Sequence, residues 1–133
     1  MKTIATTILT GLLALSLVIP LSAGAGESIE YSIARGGRLY DKWFAENDSD
    51  APTDPHPTYA AKRKYDGKRG GDWRCKECHG WDYLGKDGAY GEGKHKTGFR
   101  GIRKAAGMAP EKIAALLRNK VHGYTDSMLS DKD

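Results

Sequence analysis

Two cysteines three positions apart, Cys75 and Cys78, with His79 directly behind them, constrain this chain of 133 residues more than anything else in it. Residues three apart share one face of a helical turn, so the two thiols project together and the imidazole follows at a fixed offset. Such a pair admits several chemistries. A thioredoxin-like dithiol needs a βαβ context, and no segment alternates convincingly enough to be a strand. A structural zinc site needs four ligands, and His56, His95 and His122 stand at no regular finger spacing from the pair. A plain disulfide would give His79 no role. The remaining reading is the haem attachment signature Cys-x-x-Cys-His, in which two thiols bond the two vinyl groups of one porphyrin edge and the histidine ligates the iron.

The compartment agrees with that chemistry. Lys2 followed by a largely apolar run from Ile8 to Leu21, then Ala23-Gly24-Ala25, reads as a secretory signal peptide over residues 1–25, cleaved after Ala25. The run is interrupted by Gly11, Ser16 and Pro20 and is too short to span a bilayer. No stable membrane span is therefore expected after cleavage, and the periplasm is the expected location. One domain of about 108 residues remains, over 26–133. It is only mildly basic: without Lys2, 20 of the 21 basic residues stand against 17 acidic ones. No basic stripe is interleaved with stacking aromatics, so nucleic acid is not an expected partner. Lys62-Arg63-Lys64 and Lys68-Arg69 suit an acidic docking surface on a redox partner protein, or simply a solvated loop.

Along the mature chain a helix is expected near Ser32 to Glu46, with Ile33, Leu39, Tyr40, Trp43 and Phe44 as its apolar stripe. Gly36 and Gly37 within it suggest a close approach by another backbone or a cofactor. Residues 47–72 read as a long polar insertion loop punctuated by Pro52, Pro55 and Pro57. A further helix is expected from Ala109 to His122, with Pro110 at its first position, Glu111 facing the dipole and Gly123 ending it. Its buried face would be Ile113, Leu116, Leu117 and Val121.

With Ala34-Arg35-Gly36-Gly37-Arg38-Leu39-Tyr40, Cys75-Lys76-Glu77-Cys78-His79-Gly80, the Pro110 helix and a late loop ending at Met128, the chain resembles the class I type of monohaem cytochrome c. That resemblance implies an all-α, few-helix fold wrapped round one covalently attached haem c, whose function is electron transfer. It implies Cys75, Cys78 and His79 as the cofactor-binding residues, with His79 and Met128 as the axial iron ligands. It also implies a carboxy-terminal helix crossing the first one. Ser130, Asp131 and Asp133 look like only the cap and first turn of that helix, so the expected fold is incomplete there, through truncation or completion by another subunit.

Met128 lies 49 positions after His79, and a thioether ligand raises the potential of an electron carrier. Met108 and His122 are the alternative second ligands. Their simpler roles are an apolar staple and a favourable charge at a helix end. The Gly98-Phe99-Arg100-Gly101 loop is where a backbone carbonyl for the His79 Nδ1 proton is expected. Trp81, Tyr83, Arg100 and Arg103 could meet the haem propionates. His56 and His95 read as solvated, and Glu77 and Asp82 as surface charges. The chain is thus expected to be an electron carrier or the electron-transfer subunit of an oxidoreductase, not itself an enzyme. The contrasting class is a haem enzyme or sensor whose open sixth position binds peroxide, a gas or a sulfur substrate.

Overall fold

The computed structural model describes residues 27–59 and 70–133. The leader reading of 1–25 and the clusters Lys62-Arg63-Lys64 and Lys68-Arg69 lie outside the described residues. Three helices occur in them: α1 (Ile29–Glu46), α2 (Cys75–His79) and α3 (Pro110–Leu117). Short 3-10 turns stand at Gly71–Trp73, Gly93–His95 and Arg103–Ala105. The closest thing to a strand among the described residues is one antiparallel bridge, Gly85 with Arg100. Helices are thus the principal regular elements, and the all-α expectation holds at that level. No described helix is long and apolar enough to cross a membrane.

Helix α1 begins three residues earlier than the apolar stripe suggests, because Ser28 caps it: its Oγ accepts the Tyr31 amide at 3.1 Å. The helix kinks at Lys42, where φ −160° and ψ 72° leave the helical region, and the Asn47 amide closes its end on the Trp43 carbonyl. Past Gly37 the stripe is buried through Leu39, Trp43 and Phe44. Before it, Ile33 stays 71% exposed. The glycine pair is open rather than crowded, since a Cβ at Gly36 or Gly37 would meet nothing within 4 Å among the described residues. No other backbone among the described residues makes the expected close approach there.

Helix α3 is shorter than its periodicity implies. It stops at Leu117 because Asn119 folds its side-chain oxygen back onto the amides of Val121 (2.8 Å) and His122 (3.1 Å), trading helix continuation for a turn. None of its residues is buried, and Leu116 and the following Val121 are exposed where a buried face was expected.

The core joins the carboxyl half of α1 to residues around the cysteine helix and the late loop: Leu39, Trp43, Phe44, Trp73, Tyr124 and Leu129, with Ala51, Leu117 and Met128 packed against them. Its rings meet edge to face, Trp43 with Phe44, Trp43 with Tyr124, and Trp73 with Tyr124. The Trp73 carbonyl accepts both the Trp43 indole N–H (3.0 Å) and the Tyr124 hydroxyl (2.7 Å). One main-chain oxygen therefore ties three sequence-distant segments together.

The insertion is not simply solvated. Although the described part of 47–72 lacks long regular structure, it lays His56 and Tyr59 into the interior. His56 is 7% exposed, its ring meets the Trp73 ring edge at 4.6 Å, and its amide donates to Asp72 at 2.7 Å. Burial pushes its pKa down, so it sits there as neutral imidazole. The expectation of a solvated His56 fails because Asp72 holds its amide and Trp73 meets its ring, contacts that hydrophobicity alone does not signal. At the far end, Ser130 and Asp133 form a turn, and Asp133 pairs with Arg35 of α1 at 2.5 Å.

Candidate cofactor attachment site

The cysteine helix is held from below and behind. Its amino end follows directly from Trp73 in the core, and the Arg74 guanidinium grips Asp41 on α1. At its carboxyl end the Gly80 carbonyl takes the Tyr40 hydroxyl at 2.6 Å, so α1 clamps both ends. Thr97 donates to the Cys78 carbonyl at 2.8 Å from the opposite loop. Glu77 is buried rather than a surface charge, its carboxylate 3.9 Å from Arg74 and from Lys76.

On this turn Cys75 and Cys78 are half-buried and not joined in a disulfide. Cys75 Sγ lies 3.8 Å from the Tyr124 hydroxyl, and burial pushes its thiol up against the opposing pull of that contact. Two reduced thiols one turn apart can each add to an alkene carbon, and the site holds them without pairing them.

His79 is oriented by main chain. Its Nδ1 is 2.8 Å from the Arg100 carbonyl, within the loop where such a partner is expected. A carbonyl only accepts, so Nδ1 carries the proton and the lone pair resides on Nε2. Burial also pushes the His79 pKa down, outweighing the carbonyl contact, which keeps the ring neutral and able to donate to a metal. The accepting loop is fixed by backbone bonds: Gly85 N to His79 O (2.9 Å), Lys86 N to Phe99 O (2.7 Å) and Ile102 N to Tyr83 O (2.8 Å). Glycine is required where these strands of chain touch. A Cβ at Gly85, whose φ is +56°, would lie 2.4 Å from the Phe99 oxygen, and one at Gly101 would lie 2.5 Å from the Tyr83 oxygen. Asp82 supports the same loop by accepting the amides of Leu84 (3.0 Å) and Ala89 (2.7 Å), which hold its carboxyl below the usual range.

Of the other residues singled out from sequence, Met128 is half-buried against the core cluster, and its carbonyl accepts from Asn47 Nδ2 at 3.4 Å. Met108 is half-buried in the turn before α3. Trp81, Tyr83, Arg100 and Arg103 all lie at the surface near the motif, with Lys76 Nζ over the Trp81 ring and Arg103 Nε bonded to the Asp82 carbonyl. His95 stacks on Tyr90 instead of standing free. His122 comes to the site: its ring centroid is 6.3 Å from that of His79, and its Nδ1 is 2.9 Å from the Leu116 carbonyl. No group of three or more His, Cys, Asp or Glu side chains among the described residues could hold a bare metal ion. No family model, curated protein or solved structure matches the chain.

Proposed function

We propose that this chain is a periplasmic c-type cytochrome that transfers single electrons through one haem, attached by Cys75 and Cys78 and ligated by His79. The observation that carries this reading is the meeting, on one helical turn, of two cysteines not joined in a disulfide with a neutral imidazole whose Nδ1 proton is taken by the Arg100 carbonyl. The donor set suits a macrocycle that brings most of the iron's ligands with it, where a bare ion would need more protein donors than stand here. Bound at this site, haem would supply a one-electron ferrous/ferric couple.

The chain's own residues would do the rest. Cys75 and Cys78 would hold the haem through thioether bonds, each thiol adding across one vinyl group with its sulfur to one carbon and its proton to the other. His79 Nε2 would donate to the iron, and the Arg100 carbonyl, 2.8 Å from Nδ1, would hold the ring against rotation. The exposed apolar side chains Leu116 and Val121 offer a surface that suits an apolar ring edge. A second donor to the iron would come from the late loop, where His122 and Met128 are the two side chains that sequence offers. Filled axial positions would make the protein a carrier for redox partners with acidic docking surfaces, not an enzyme.

The test is coexpression with haem-maturation machinery, followed by denaturation and intact mass. A mass increase of one haem and a pyridine haemochrome spectrum of the bis-thioether type are expected, both lost in Cys75→Ala/Cys78→Ala. An unmodified mass would remove the proposal. Rapid carbon monoxide binding by the reduced protein would replace the carrier role with an open-site enzyme or sensor.

A further inference from the structure

We propose that His122, rather than Met128, is the second axial ligand of the iron; this rests on the haem reading above. The two imidazoles already stand at the separation such ligation needs. Metal–imidazole bonds of about 2 Å on opposite sides of one ion, with the remaining distance to each ring centre, put the centroids roughly 6 Å apart. Those of His79 and His122 are 6.3 Å apart, with the planes inclined at 34°.

Their protonation is matched as well. Each Nδ1 faces a main-chain carbonyl, Arg100 for His79 at 2.8 Å and Leu116 for His122 at 2.9 Å. Because a carbonyl only accepts, both rings carry their proton on Nδ1 and their lone pair on Nε2. Among the described residues no hydrogen bond uses Nε2 of either ring. This is the arrangement by which outer contacts fix the tautomer of a ligating histidine, and it occurs twice, at the end of α2 and in the turn after α3.

The backbone that carries His122 is built to stay in place. Asn119 caps the amides of Val121 and His122, Gly123 turns the chain with φ +70°, and Tyr124 is anchored in the core by its bond to the Trp73 carbonyl. The Gly123 turn packs close to the insertion, since a Cβ there would lie 3.0 Å from Pro57. Capping of α3 would explain the Leu116 contact by itself. It would not explain a second imidazole of the same tautomer at ligation distance. Met128, by contrast, contributes its side chain to core packing beside Leu129.

The test compares the haem-loaded wild type with Met128→Ala, His122→Ala and His122→Met, each checked for covalent haem by mass and for folding by circular dichroism. The wild type should be low-spin in the ferric state without a sulfur-to-iron charge-transfer band, and Met128→Ala should leave spectrum and potential unmoved. His122→Ala should lose the low-spin signature and regain it when free imidazole is added. His122→Met should gain the sulfur band and a higher potential. A wild-type sulfur band that vanishes in Met128→Ala overturns the assignment while leaving the haem reading intact. This outcome needs no His122 variant to fold. Absence of covalent haem from the wild type overturns both.

Discussion

Helices α1 and α3 carry comparable apolar stripes, yet α1 buries Leu39, Trp43 and Phe44 whereas α3 buries nothing. The contrast shows what hydrophobic periodicity specifies. It fixes which face of a helix is apolar and leaves open what covers that face. For α1 the cover is an aromatic cluster gathered from three segments. For α3 only the end of the face at Leu117 touches that cluster, while Leu116 lies toward solvent.

The largest effect expected from this difference is at Trp43, 2% exposed and central to the cluster. Trp43→Ala should cost about 3–5 kcal/mol in denaturant unfolding. A loss below about 1 kcal/mol would mean that the α1 contacts do not hold the fold. Next comes Tyr124→Phe, which keeps the ring but removes the hydroxyl that shares the Trp73 carbonyl with Trp43. About 1 kcal/mol is expected, because the carbonyl retains its other donor. On α3, Leu116→Ala should change the stability of the haem-free chain by about 0.5 kcal/mol or less. In the haem-loaded protein the same substitution should cost measurably more. Equal costs in both forms would show that the α3 face is not where the cofactor lies.

The smallest effect is local and depends on pH. Asp82 binds two amides as a carboxylate, so its folded pKa lies below its unfolded value of 3.8. Its contribution is complete above that value and disappears as pH falls through the lower, folded pKa. The Leu84 and Ala89 amide resonances should move together below pH 3.8, and Asp82→Asn should abolish that titration while core resonances stay fixed.

Much of this arrangement could be read from the chain. The turn that carries Cys75, Cys78 and His79, the first helix with its kernel at Leu39, Trp43 and Phe44, and the start of α3 at Pro110 follow from spacing, caps and periodicity, while the loop whose carbonyl faces His79 Nδ1 is expected from the family resemblance. What escaped is set partly by local side-chain bonds and partly by contacts between distant segments. Asn119 ends α3 through a side-chain bond that competes with a favourable helical pattern. His56 is buried through a contact with distant Asp72, and Glu77 is buried although its cationic neighbours Arg74 and Lys76 lie on its own turn. The proximity of His122 to His79 depends on where that shortened helix releases the chain.

The tether on His79 is a main-chain oxygen, and this changes how mutation can reach it. Any amino acid at position 100 presents the same carbonyl, so the side chain of Arg100 is free to drift, or to be recruited for another task, without touching the imidazole. The vulnerability is transferred to neighbours that never contact the ring. A single added methyl at Gly85 or Gly101 collides with backbone and must displace the loop carrying that oxygen. Sequence variation at this site should therefore look inverted, permissive at the residue that makes the contact and intolerant at the two glycines that aim it.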